Sequence, residues 1–257
     1  MLHTTDRRAL AEQLAQVIDA RRRNAARRQF FNLFPDEDDE DTLLPGGSIA
    51  YARRKYPRHI EFFEAGAEYR ERCFLAANRV GKTIAGAYEM TAHLTGLYPD
   101  WWPGRRFKRP IRAWAAGKTN ETTRDTIQET LLGEIVRMGA RKTVSGTGMI
   151  PGNLLGELVW KQGSPDLVDV IKVRHVSGGW SRLGMKSYIQ GRGAFEGTAQ
   201  HVIWGDEEIP ADIYGECLIR TATTDGLVIT TFTPLEGLTE VVLMFMPEEM
   251  RGDTDDE

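Results

Sequence analysis

The sequence predicts an α/β fold: a mostly parallel central sheet flanked by helices, with a small helical part ahead of it. Three observations carry this. From Arg72 onward, short apolar and β-branched runs alternate with stretches of helical composition. Two of these runs, 73–77 and 201–204, end directly in polar loops, and a parallel sheet gathers its ligand-facing loops at such strand ends. The 257 residues, 41% of them hydrophobic, suffice for one sizeable core with a small appendage.

The elements follow in order. Residues 5–33 read as a helix because Leu10, Leu14, Val17 and Ile18 keep a helical spacing. Arg21, Arg22, Arg23, Arg27 and Arg28 form a dense basic cluster, read as a solvated helical face or as a contact surface. Residues 36–41 are all acidic and lie between Pro35 and Pro45. Like charges repel and prolines break regular structure, so this stretch is a linker or mobile loop. The expected division is an N-terminal helix and acidic linker over 1–45, a main domain over 46–250 and a short acidic tail over 251–257. Inside the main domain, 73–77 is a strand, 82–97 a helix and 111–116 a strand. Asn120 is placed as the N-cap of a helix running to about Met138. The stretch 142–190 is rich in Gly, Val and Ser, with short strands expected at 158–160, 170–176 and 186–189. A buried strand at 201–204 is followed by a helix opened by Pro210 and Asp212. A last strand covers 227–233, and Gly237 begins the closing segment.

Composition narrows the function. A net charge of -4 gives no global attraction for nucleic acid, so any such contact must be local. There are two cysteines, Cys73 and Cys217; Cys73 sits in an apolar run and reads as a buried thiol rather than half of a disulfide. No apolar stretch reaches the roughly 18 residues that span a bilayer, and the N-terminus carries no apolar signal core. The expectation is a soluble protein of a reducing compartment, with no membrane partner.

Chemistry concentrates in two segments. Ala76-Ala77-Asn78-Arg79-Val80-Gly81-Lys82-Thr83 follows an expected strand and opens an expected helix, the context of a phosphate loop. Backbone N–H groups at such a helix start point at an anion, and the helix dipole adds to the attraction. Gly81 lets the backbone approach closely, Lys82 reaches the β- and γ-phosphates, and Thr83 offers a hydroxyl to Mg²⁺. Ala76 stands where the usual pattern has its first glycine. The second segment, His201-Val202-Ile203-Trp204-Gly205-Asp206-Glu207-Glu208, is an apolar strand ending in carboxylates. At a strand's carboxyl end, Asp206 can hold Mg²⁺ through its water shell and Glu207 can act as general base on the attacking water. Glu208 is placed outside the site, being farther past the strand. Together, in this order and on these elements, the two segments predict nucleotide hydrolysis on a P-loop NTPase fold of the additional-strand, catalytic-glutamate class. Hydroxyls on the third strand, Leu227-Val228-Ile229-Thr230-Thr231-Phe232-Thr233-Pro234-Leu235, can contact a γ-phosphate or a catalytic water; strand propensity of threonine is the plainer account.

These three segments, the last extended to Glu236-Gly237, resemble the ATPase part of the large terminase subunit of tailed bacteriophages, and Ala113-Trp114-Ala115-Ala116-Gly117-Lys118 is similar to that family's second strand. The resemblance covers about residues 55–245. It implies an ATP- and Mg²⁺-dependent motor that pumps double-stranded viral DNA through a portal into a procapsid. Lys82 and Thr83 match the Walker A lysine and hydroxyl, Asp206 the Walker B aspartate, Glu207 the catalytic glutamate, and Thr231 and Thr233 the coupling motif. Arg79 matches an arginine acting on the γ-phosphate, and Ala77, Asn78 and Val80 complete the loop. Tyr56-Pro57-Arg58-His59-Ile60-Glu61-Phe62-Phe63 falls where the family contacts adenine. Arg58 and His59 are the candidates there, against a helix that simply packs Phe62 and Phe63 into the core. Arg220 is either a finger reaching a neighbouring subunit or an ordinary ion pair. The implied partners are the DNA, a portal protein, a small terminase subunit and further copies in a ring, in the host cytoplasm and docked on the procapsid. Family members normally carry a nuclease domain after the ATPase, and the tail reads as the start of a linker toward it. Basic residues around Arg105, Arg106, Lys108 and Arg109, and around Arg141 and Lys142, are candidate DNA grips or solvated loops. The competing readings are a helicase-like ATPase and a nucleotide-binding assembly scaffold that hydrolyses nothing. As an isolated domain the expectation is a slow, monomeric ATPase.

Overall fold

A computed structural model describes residues 12–17, 29–35, 43–44, 48–49, 51–235 and 237–246. The basic cluster 21–28, the acidic run 36–41 and the tail 251–257 lie outside the described residues. Helix α1 (12–17) leaves Leu14 and Val17 exposed. Farther along the chain, in α2 (Gln29–Asn32) and the turn after it, Phe30, Leu33 and Phe34 are buried in the main core. Phe30 stacks on Tyr88 at 4.6 Å and Phe34 meets Phe63 edge-on at 5.4 Å. Strands β1 (Leu43–Leu44) and β2 (Ser48–Ile49) form a two-residue antiparallel ladder.

Helix α3 (Pro57–Ala65) starts on a proline, whose missing N–H costs nothing at the first helical position. It leads to β3 (Glu71–Leu75), then to α4 (Lys82–Thr95), buried throughout from Ala85 to Thr95. Such burial demands small side chains where the helix crosses the sheet. At Gly86 an added Cβ would stand 2.4 Å from the Trp204 indole. A Gly96 turn with φ 73° ends the helix.

Strand β4 (Arg112–Gly117) is followed by α5 (Asn120–Thr122), a π-helical turn (Thr123–Gln128) and α6 (Glu129–Leu132). Here the expected helix is corrected at both ends. Thr119, not Asn120, is the N-cap, in a reciprocal capping box with Thr122. The helix stops at Leu132 because Gly133 takes φ 82°, and residues 135–144 form a hairpin of β5 (Ile135–Met138) and β6 (Arg141–Val144) around Gly139 at φ 61°. Next come β7 (Leu155–Trp160), β8 (Val168–Arg174) and β9 (Trp180–Ser187), each longer than or offset from the expected strands. Two 3₁₀ turns (Tyr188–Gln190 and Arg192–Phe195) lead to β10 (Val202–Asp206), α7 (Ala211–Ala222), β11 (Leu227–Phe232) and α8 (Glu240–Phe245).

Seven strands form the central sheet in the order β3-β11-β10-β4-β9-β8-β7. The first five run parallel, β8 runs antiparallel to β9, and β7 runs antiparallel to β8. The predicted mostly parallel α/β sheet is present. So is the additional strand: β11 lies between the phosphate-loop strand β3 and the acidic strand β10. Helix α4 covers one face with the larger apolar core. Ile209, α7 and α8 cover the other over β10 and β11, with Ile213, Tyr214, Cys217 and Val241 buried there. Cys73 and Cys217 are free thiols. Cys217 is buried and Cys73 half-buried, and burial pushes both thiols up to about 12. Among the described residues no helix is long and apolar enough to cross a membrane.

Candidate active site

Strand β3 ends at Leu75, and the next six residues turn back so that α4 can begin at Lys82. The turn uses two left-handed positions, Arg79 (φ 64°) and Gly81 (φ 87°). At Gly81 the space is also filled: an added Cβ would meet the Tyr51 ring at 2.8 Å and His59 Nε2 at 3.0 Å. A glycine is therefore required here by conformation and by contact. No such requirement falls on Ala76, whose N–H extends the ladder to the Phe232 carbonyl at 3.4 Å.

Lys82 folds back over the loop. Its ammonium donates to the Ala76 carbonyl (2.9 Å), the Ala77 carbonyl (2.6 Å) and Thr233 Oγ1 (2.9 Å). Partial burial lowers its pKa, and the nearby Asp206 carboxylate opposes that shift. Thr233 Oγ1 is also 2.8 Å from Asn78 Oδ1, so the loop and the end of β11 share one hydrogen-bonded cluster.

Across the cavity, Thr83 Oγ1 lies 3.0 Å from both carboxylate oxygens of Asp206. Thr231 donates to Asp206 Oδ1 at 2.7 Å and accepts from the Trp204 indole at 2.8 Å. Asp206 is 7% exposed. Its pKa is raised to about 6, first by desolvation and further by Glu207; Thr231, Thr83 and Lys82 pull the other way. A buried carboxylate without enough positive charge suits a cation ligand.

Glu207 follows in a left-handed conformation (φ 70°), its N–H bonded to the Thr231 carbonyl at 3.0 Å and its side chain exposed. That geometry turns it out of the strand and onto the rim of a cavity of about 390 Å³, which Asn78, Arg79, Gly81, Lys82, Thr83, Asp206, Thr231 and Thr233 also line. Glu208 accepts instead from the hydroxyl of Thr239, the N-cap of α8.

Sequence reasoning missed Tyr188. Its buried hydroxyl stands 3.2 Å from the carbonyls of Ala116, Asp206 and Glu207, at the junction of β4 and β10. A single tyrosine after a strand carries no sequence pattern that announces this.

The adenine candidates part company. Arg58 points outward and pairs with Glu61 at 2.7 Å, both side chains more than half exposed. His59 is buried among Tyr51, Tyr56 and Phe74, and burial lowers its pKa. Both line a second cavity of about 990 Å³ behind the loop, with Arg79 and Val80. Phe62 and Phe63 are buried in the core, as the packing alternative expected. Ala77 contributes only its carbonyl to Lys82. Arg220 makes an internal ion pair with Glu216 at 2.9 Å and donates to the Gly197 carbonyl at 2.7 Å.

Among the described residues no three His, Cys, Asp or Glu side chains cluster as a metal cage. A Mg²⁺ site does not need one, because that ion keeps several waters and phosphate oxygens and takes one or two protein ligands. Asp206 and Thr83 fit this donor set.

Residues 73–255 match the family described as terminase large subunit, T4likevirus-type, N-terminal. The chain is 39% identical to the large terminase subunit of Salmonella phage P22 over 227 residues, covering 81% of the chain and 44% of that protein. It therefore spans less than half the length of this curated relative. Among solved structures, a mutant of the Thermus phage P74-26 large terminase ATPase domain overlaps 71% of this chain and 70% of its own, with a TM-score of 0.46 and 13% identity. The large terminase of the thermophilic bacteriophage D6E, solved with ADP, overlaps 70% of this chain and 38% of its own, with a TM-score of 0.46 and 11% identity.

Proposed function

The chain belongs to the T4likevirus-type terminase large subunit N-terminal family, and from that premise we propose that it is an ATPase whose turnover drives double-stranded viral DNA into a procapsid. The observation that carries the proposal is the convergence of two separate strand ends. The Lys82 ammonium and the Asp206 carboxylate line one cavity, with Thr83 and Thr231 holding the carboxylate.

In this proposal the terminal phosphates of ATP lie against the backbone of residues 77–83, at the start of α4. Lys82 exchanges its loop carbonyls for phosphate oxygens. Asp206 and Thr83 hold Mg²⁺, which neutralises phosphate charge when bound. Glu207, on the cavity rim, orients the attacking water and takes its proton. Arg79 borders both cavities, which suits a contact with the γ-phosphate or with the base. Thr231 touches Asp206 and Thr233 touches Lys82, which suits the strand end to report loss of the γ-phosphate. The base occupies the larger cavity beside His59, with Arg58 at its exposed mouth. The large cavity and its aromatic wall support this placement. The partners proposed are a portal protein, a small terminase subunit and other copies in a ring, in the host cytoplasm.

Glu207→Gln tests the assignment. Turnover is expected to fall by about 10² to 10⁴, with nucleotide binding retained. Turnover equal to that of the unmodified chain overturns the catalytic role of Glu207.

A further inference from the structure

On the second face Trp114 and Ala116 of β4 are buried with Tyr188 and Phe195, but Arg112 at the start of that strand is exposed, as are Arg182 on β9 and Arg174 on β8, and the register there sets like charges side by side. Arg112 on β4 is the cross-strand partner of Arg182 on β9, and Arg182 is the partner of Lys172 on β8. Partnered residues point to the same face. That face is opposite α4, because the alternate residues Leu183, Ile171 and Val173 are buried in the core that α4 shares. With strands about 4.8 Å apart, the three cations form a row of about 10 Å. Arg174 extends it along β8, its guanidinium 5.3 Å over the Trp180 ring. The row's one carboxylate partner is Glu157, 2.7 Å from Lys172. Among the described residues no ion pair includes Arg112 or Arg182.

Like charges placed directly opposite one another destabilise a sheet. Glu157 offsets the Lys172 end of the row, so the Arg112–Arg182 pair is the remaining cost to folding that an anionic partner offsets. We propose that this row is a docking surface for the phosphate backbone of duplex DNA. The charge spacing fits: each strand of a duplex presents one phosphate per 3.4 Å of axis, so about 10 Å faces about three phosphates. Guanidinium groups take phosphate oxygens in pairs, which suits two adjacent arginines. The inference rests on the motor reading, since that reading makes DNA the polymer moved. It assigns the contact to the strand register, not to the loops at 105–109 or 141–142.

The experiment measures binding of the full chain to a short duplex as a function of salt. The triple substitution Arg112→Gln, Arg182→Gln, Lys172→Gln is compared with the unmodified chain, and Arg182→Gln alone serves as a milder variant. The expected result is a salt slope shallower by about 2 to 3 for the triple and by about 1 for the single variant. Affinity near 0.1 M salt should drop at least about tenfold for the triple. ATP hydrolysis without DNA should be unchanged, which also reports that the variants fold. An unaltered slope and affinity overturn the proposal, as does no binding by the unmodified chain at low salt. Polyglutamate competing as well as DNA of equal charge also overturns it, in favour of an acidic protein partner. Absence of ATP hydrolysis in the unmodified chain counts instead against the motor reading and leaves the slope comparison to decide this one.

Discussion

Thr231 donates to Asp206 across the boundary between β11 and β10, at 2.7 Å, and the same hydroxyl accepts from the Trp204 indole. The direction of the buried carboxylate is thus set by its neighbour strand, not by its own. Thr83 approaches from α4 on the other side. Three elements meet at one side chain, and the predictions follow from what each would lose.

Asp206 has a folded pKa of about 6 against 3.8. A raised carboxyl pKa means that the ligand-free fold resists ionisation. The cost is absent below about pH 4, grows between about 4 and 6, and is complete above that. It amounts to at most roughly 3 kcal/mol. Asp206→Asn should therefore raise the melting temperature of the ligand-free chain at pH 8. It should also abolish the further stabilisation that Mg²⁺ with ADP gives the unmodified chain. Thermal melts with and without Mg²⁺–ADP check both; a variant that melts lower without ligand contradicts the burial argument.

Lys82→Ala removes the ammonium that bonds two loop carbonyls and Thr233. Loss of a charge-assisted contact of about 1.5–3 kcal/mol weakens ATP binding by roughly 10- to 100-fold. Turnover should fall with it. Titration with a fluorescent nucleotide and steady-state phosphate release measure the two. Normal values for both would remove the phosphate-loop assignment.

Tyr188→Phe leaves three carbonyls at the β4–β10 junction without their shared hydroxyl. Tyr188 touches no cavity-facing carboxylate oxygen, so its role is to position the Asp206–Glu207 peptide. The expected result is a kcat reduced by roughly tenfold and a KM for ATP within about twofold of normal. A variant that is merely less stable, with unchanged kcat at low temperature, would show that the hydroxyl has only a structural role.

Through its buried histidines the fold should lose stability in acid, against the relief at Asp206. His93 is fully buried, 3.1 Å from Glu89 and 2.9 Å from the Tyr98 hydroxyl. Burial lowers its pKa below 6.5 against the pull of Glu89. The unfolded chain takes the proton first, so stability falls as pH drops through about 6.5 toward the folded value. Glu89 acts in the same direction at lower pH. Burial raises its pKa, but Arg72 and His93 outweigh that and hold it below the usual value. Urea melts at pH 7.5 and 5.5 on the Asp206→Asn background, where the opposing relief at Asp206 is absent, should show the loss, and adding His93→Gln should make it smaller. His59, His175 and His201 are also shifted down, first by burial, so part of the loss remains.

Much of the candidate site was legible because its residues lie in short, local segments. Gly81-Lys82-Thr83 and Asp206-Glu207 each sit where a strand run ends, and helical composition locates the helix that follows the loop. What was not legible depends on partners distant in the chain. Tyr188 matters because of Ala116, 72 residues away. The row from Arg112 to Lys172 exists only through register. The helix predicted to reach Met138 failed on Gly133 and Gly139, whose positive φ values turn the chain into a hairpin. Arg58 and His59 looked equivalent in sequence, but only His59 is turned inward, among the rings of Tyr51, Tyr56 and Phe74.

The insertion of β11 between β3 and β10 acts as a gauge block. Two interstrand steps of about 4.8 Å put roughly 10 Å between the backbones that carry the lysine loop and the carboxylate. No side-chain choice at either end can change that width. A substitution within β11 that shifts its register would open or close the jaw as a whole, so the tolerance of this molecule for its ligand is written in a strand that contributes little more than hydroxyls to the contact.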